Sequence, residues 1–164
     1  MIIVAVAVIA AVAIGFKMNI DKYDGSTFES RQLLMEDARE GFSITGETVV
    51  DEYIVANIHS GNEWGYAVFA PEGNEKYSLR TTLIRDISAN IIIGQLYTGD
   101  KDYDIVICNE PDLDYAVLTY LAETGEQRVE TFPAECEKPI MSENNYKNYT
   151  LNAVFHDKSG NIIE

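Results

Sequence analysis

The sequence predicts an α+β fold, mostly antiparallel β-sheet with about seven or eight strands and one short helix, preceded by an N-terminal apolar helix. Three observations predict it. From Gly46 onward, apolar and polar residues alternate in runs of strand length, each closed by Gly, Asn, Pro or Asp. Just before them, one segment carries both a helix start and a helix stop. The opening 16 residues, MIIVAVAVIAAVAIGF, are 15 apolar side chains plus Gly15, so all 39 charged side chains of this 164-residue chain come later.

Residues 2–14 are Ile, Val and Ala only, a run with no wet face to present to water. At about 1.5 Å per residue, continuation to Ile20 reaches about 30 Å, the depth of a bilayer core. Residues 1–20 are therefore expected to be an apolar membrane anchor or a signal segment. Ala11-Val12-Ala13 supplies a cleavage site for the second alternative, while no basic residue stands ahead of Ile2. Either alternative places the acidic β-rich domain, residues 26–164, outside the cytoplasm. A pilin-type helix would carry an acid near its start and run on unbroken. Here the run has no acid, and Asp24-Gly25-Ser26 interrupts its continuation.

Ser26-Thr27-Phe28-Glu29 reads as a capping box, with a hydroxyl for the first-turn amides and Glu29 three positions on. The helix that follows is expected to bury Phe28, Leu33, Leu34, Met35 and Ala38, to wet Glu36, Asp37, Arg39 and Glu40, and to stop at Gly41. It should pack on a sheet as a lid.

Strands are expected over residues 53–58, 64–70 and 77–84, joined through Ser60-Gly61-Asn62 and Pro71-Glu72-Gly73-Asn74 as a meander. Residues 91–98 and 103–108 make a second hairpin across Gly99-Asp100, and residues 113–122 and 127–132 a third across Glu123–Glu126. A further strand, 149–155, turns at Asp157–Asn161 before Ile162-Ile163, and Ser142–Asn148 reads as a mobile loop.

Composition excludes some function classes. After the leader the chain is about 40% hydrophobic, an ordinary globular value and too apolar for disorder. Twelve Lys and Arg against 27 Asp and Glu give a formal net charge of −15, with no basic cluster, so nucleic acid is not an expected partner.

Specific chemistry has few carriers. Asp100, Asp102 and Asp104 have the alternate spacing that opens a calcium loop, which makes them weak metal candidates. Ile105 and Pro111 stand where such a loop needs its Gly and its Glu, so a hairpin turn with one wet strand face is the simpler reading. Glu110, Asp112 and Asp114 join them only if the fold brings the two groups together. His59 and His156 lack zinc-ligand spacing, and no serine-nucleophile signature is present. No cofactor is expected. Cys108 and Cys136 are a disulfide candidate in an oxidising compartment, with a buried inert thiol and an exposed one as the alternative. Trp64, Tyr66 and Tyr77 offer an aromatic binding surface, or else core.

The segments GYAVFAPEGNEKYSL, ANIIIGQLY and YDIVICNEPDLDYAVL, behind an apolar start and one short helix, resemble small membrane-anchored extracytoplasmic proteins of Gram-positive bacteria over about residues 50–120. That resemblance implies location and architecture and brings no catalytic residues. The resulting expectation is a membrane-tethered or secreted, single-pass protein whose domain is a non-enzymatic binding module for an unknown protein or surface ligand. The alternatives are a secreted hydrolase using paired carboxylates, and an acidic inhibitor or immunity-type protein that meets a basic partner by charge.

Overall fold

The computed structural model describes residues 23–163. The apolar segment 1–20, expected to be a helical anchor or signal, lies outside the described residues. Among the described residues no helix is long and apolar enough to cross a membrane.

Among the described residues one helix and eleven strands follow in order: α1 (Phe28–Ala38), β1 (Ser43–Val50), β2 (Tyr53–Ser60), β3 (Glu63–Gly73), β4 (Lys76–Asp86), β5 (Ile91–Tyr97), β6 (Asp102–Cys108), β7 (Leu113–Ala122), β8 (Gln127–Pro133), β9 (Ile140–Asn144), β10 (Tyr149–Asp157) and β11 (Ile162–Ile163). They form three antiparallel sheets with strand orders β1-β2-β3-β4, β5-β6-β9 and β11-β10-β7-β8.

Side-chain alternation stacks these elements in layers. On the meander sheet, Ile54, Ala56, Ile58, Ala67 and Phe69 meet Met35 of α1, while Val55, Trp64, Tyr66 and Val68 face the other way. Those four meet Ile92, Leu96, Tyr103, Ile105 and Ile107 of the three-stranded sheet. The opposite face of that sheet, with Val106, Cys108 and Ile140, packs on Ala116, Leu118, Tyr120 and Phe155 of the last sheet. The order is thus helix, meander sheet, middle sheet, outer sheet. β6 is the central strand of the middle layer, and everything after Asp102 in it is buried. Each large apolar side chain fully buried in these clusters contributes on the order of 1.5–3 kcal/mol.

The expected meander and the two later hairpins form as the alternation predicts. Elsewhere the structure departs from expectation. The strand count rises to eleven because β1 and β9 are polar runs, SITGETVV and IMSEN, whose hydropathy does not read as strand. The expected loop at Ser142–Asn148 begins with β9, where Ser142 and Asn144 are buried. β3 runs on through Pro71 and Glu72 to Gly73, and the turn falls at Asn74 and Glu75, both in the left-handed region at φ 54° and 60°.

The helix is capped one residue later than predicted. Thr27 accepts from the Ser30 amide at 3.1 Å, while the Ser26 hydroxyl donates to Asp24 at 2.6 Å. Phe28 and Ala38 are exposed, and Arg31 is buried in their stead. Its guanidinium donates to both Glu47 carboxylate oxygens, at 2.7 and 2.6 Å, and to the Gly25 carbonyl at 2.7 Å. With that fork filled, a buried cation is tolerated where an apolar side chain was expected. Gln32 adds a second clamp, donating to the Phe42 carbonyl and accepting from the Ile44 amide.

Candidate functional site

Between the middle and outer sheets the packing changes character along the strands. At the Cys108 end it is apolar, and at the Asp104 end it is a network of polar side chains. Asp104 shares its strand face with Val106 and Cys108 and is 1% exposed. In register beside it stand Gln95 of β5 and Ser142 of β9. Facing them from the outer sheet are Tyr149 of β10, Tyr120 of β7, and Arg128 and Glu130 of β8.

The Tyr149 hydroxyl donates to Asp104 Oδ1 at 2.5 Å and accepts from Gln95 Nε2 at 2.7 Å. Asp104 Oδ2 is buried and, among the described residues, has no hydrogen-bond partner within 3.5 Å; the Tyr120 hydroxyl, equally unpaired, is the polar group nearest in kind to it. Burial holds the Asp104 carboxyl above the ordinary carboxylate range, with the Tyr149 hydroxyl pulling the other way. Burial, then the bond to Asp104, pushes the Tyr149 phenol up to about 12. Arg128 lies 4.2 Å from the centroid of the Tyr120 ring and donates to the Glu143 carbonyl at 2.7 Å. The Ser142 hydroxyl donates to Glu130 at 2.8 Å, and burial raises the Tyr120 phenol too.

This network opens on a groove of about 770 Å³ at the flank of the two layers. Ile93, Gly94 and Gln95 border it on one side, and Tyr149, Thr150 and Leu151 on the other. Asp104 forms its floor, and Glu123, Lys147 and Asn148 stand at one end, where Asn148 donates to Glu123 at 3.1 Å. A smaller hollow of about 400 Å³ shares Glu123, Tyr149 and Thr150 and extends past Leu121. Chemically the groove offers two carboxyls, Asp104 and Glu123, two amides, Gln95 and Asn148, the Lys147 ammonium, two hydroxyls and the apolar side chains of Ile93 and Leu151. These groups suit the binding of a polar or cationic ligand more readily than metal coordination.

Comparison with protein-family models, with curated proteins and with solved structures finds no match. The site therefore stands on its own residues.

Of the residues singled out in the sequence, only Asp104 lines this groove. Asp100 and Asp102 are exposed at the β5–β6 turn, so the three aspartates share no wet face. Glu110 lies beyond the opposite end of β6, about 20 Å away along the strand, and Asp112 and Asp114 follow it. Among the described residues no group of three His, Cys, Asp or Glu is placed to hold a metal ion. His59 is in the meander sheet, and His156 stacks on Tyr115 at 4.4 Å in the outer sheet, so no site gathers them.

The aromatic surface is corrected as well. Trp64 and Tyr66 are 1% and 5% exposed between the meander and middle sheets, with the Trp64 indole donating to the Ala89 carbonyl at 2.8 Å. Tyr77 packs on the helix side of the same sheet, so the three share no face. Cys108 and Cys136 are free thiols that pack in one apolar cluster. Burial raises both, Cys108 to about 12, which leaves it inert as a nucleophile.

Gln95, Tyr120, Arg128, Ser142 and Tyr149 went unrecognised as site residues. One signal was present in the sequence. In DYDIVIC, Asp104 falls at even spacing with Val106 and Cys108, so a carboxylate shares a face with two apolar residues.

Proposed function

We propose that this chain is a membrane-tethered or secreted protein whose β-rich domain is a non-enzymatic binding module at the cell surface, with the ligand held in the groove between β5 and β10. The apolar composition of residues 1–20 supports the tether or secretion. One observation carries the binding role: a nearly fully buried carboxyl, Asp104, has one oxygen without a partner at the floor of an open groove. Buried polar atoms are almost always hydrogen-bonded, and leaving one unpaired costs on the order of 1–3 kcal/mol. A ligand donor that meets that oxygen once the side chain turns toward the groove removes the cost.

The test is a chemical-shift screen of the full chain in detergent micelles against sugars, polyamines and short peptides. The expected outcome is perturbation clustered on Gln95, Asp104 and Tyr149. No perturbation there by any compound overturns the binding role. Recovery of the full chain in the cytosol, without detergent, overturns the location.

A second reading, a hydrolase using paired carboxylates, has one observation in its favour, since Asp104 and Glu123 line the same groove. It requires turnover of chromogenic glycosides or esters that both Asp104→Asn and Glu123→Gln abolish. Turnover unaffected by the two variants disposes of it.

A further inference from the structure

Three consecutive residues of β5 and three of β10 border the groove. Side chains of consecutive strand residues point to opposite faces, so a wall of this kind is a strand edge rather than a sheet face. Among the described residues both edges lack a neighbour there. β5 ends its sheet, and β11 pairs with β10 only at Phe155 and His156, so no described strand pairs with Tyr149–Val154 on the side away from β7.

Of the other edges, β11 is only two residues long, and the four longer ones are guarded. β4 carries Lys76, Arg80, Arg85 and Asp86, and β8 carries Arg128 and Glu130 and ends at Pro133. β1 has Glu47 and is covered where a Cβ on Gly46 would meet the Glu137 carbonyl and Thr48 donates to Pro139. β9 has Glu143. By contrast, Ile91–Tyr97 holds no charge and no proline, and neither does Tyr149–Val154. Ile93 and Tyr97 are 42% and 58% exposed. A bare apolar edge of seven residues invites another strand, and natural sheets normally block it.

Charge chooses among strands. The groove is lined by two acids, the deeply set Asp104 and Glu123, against one cation, Lys147, in a chain of net charge −15.

Building on the binding role proposed above, we infer that the groove takes an extended basic segment of a partner protein, added as a strand along the free edge of β5 or β10. Backbone groups of the segment continue the ladder, apolar side chains at alternate positions meet Ile93 and Leu151, and a Lys or Arg between them reaches Asp104. A segment of about five residues, some 16 Å long, is the natural unit.

The experiment titrates full chain in micelles, at 150 mM salt on the order of physiological ionic strength, with three labelled seven-residue peptides. One alternates Val and Lys, the second alternates Val and Glu, and the third is the Val–Lys peptide with its two inner Val residues replaced by Pro. Fluorescence anisotropy reads affinity, and amide hydrogen exchange reads location. The Val–Lys peptide should bind and should slow exchange within residues 91–97 or 149–154. The Glu peptide should not bind, and the Pro peptide should bind at least about tenfold more weakly. Asp104→Asn, and separately Ile93→Lys on the exposed edge, should each weaken the Val–Lys peptide by about tenfold.

Equal binding of the Pro peptide, or protection confined to β4 or β8, overturns the inference. Absence of Val–Lys binding in a chain that still answers the small-molecule screen at Asp104 overturns the peptide partner alone. Silence in both experiments overturns the binding role with it.

Discussion

The two faces of β6 are built from one strand seven residues long and are put to different uses. Toward the meander sheet, Tyr103, Ile105 and Ile107 enter a cluster of aromatic and branched side chains that includes Trp64 and Tyr66. Toward the outer sheet, Cys108 and Val106 do the same, but Asp104 heads a polar network with Tyr149, Gln95 and Tyr120 around it. The first face is closed and holds the layers together. The second is closed at one end only and opens on a groove at the other. Burial alone does not separate these roles, since Asp104 and Ile105 are almost equally inaccessible. What separates them is whether every buried atom has found a partner.

Substitutions on the two faces sharpen the contrast. The largest effect is expected on the closed face, where Ile105→Ala should destabilise the fold by about 3 kcal/mol in urea or guanidinium unfolding, through lost transfer energy and a cavity with no route to solvent. Gly94→Ala comes next. A Cβ there would overlap the Tyr66 hydroxyl, and the buried ring has little room to retreat, so a loss of about 2 kcal/mol is expected in the same assay. On the open face Tyr149→Phe removes one hydroxyl and leaves Asp104 and Gln95 without a shared partner, for a loss of about 1 kcal/mol.

The smallest change should be a gain. Between the ordinary carboxylate value of 3.8 and its raised value in the fold, the folded chain holds an Asp104 proton that the unfolded chain releases, so stability falls as pH rises through that window. Asp104→Asn should remove that slope and raise stability at neutral pH, as read by thermal unfolding across a pH series. A variant no more stable than the parent at neutral pH, or one that keeps the slope, would mean that Asp104 is not the buried carboxyl described here and would erase the contrast between the faces.

Period-two alternation sufficed to read the meander and both later hairpins from sequence, because each of those strands presents one apolar side to a neighbouring layer. β1 and β9 escaped because they hold their places through polar atoms: Thr48 donates to Pro139 across 91 residues, and Ser142 meets Glu130. No pattern within either run records such distant partners. The helix misled for the same reason at Arg31, whose burial depends on a glutamate 16 residues away. At the site, Asp104 was noticed for the wrong property. As the last of three alternating acids it suggested a wet strand face, or at most a weak ion site, whereas its spacing from Val106 and Cys108 already placed it indoors. Tyr149, which supplies its hydrogen bond, arrives from 45 residues on, and nothing in the sequence pairs the two.

The stacking order carries a consequence for how the chain assembles. Helix α1 and the meander sheet occupy one unbroken stretch, Phe28–Asp86, and each of its strands pairs with the next along the chain. The other two sheets are different, since β9 reaches β6 only after the chain has gone out through β7 and β8, and β10 reaches β7 only after β8 and β9. Local pairings close fast and distant ones slowly. The meander layer is thus the first platform expected to form, with the middle and outer layers completed after it. The segment between Pro133 and Ile140, which runs past Gly46 on its way to β9, is the latch that locks them together.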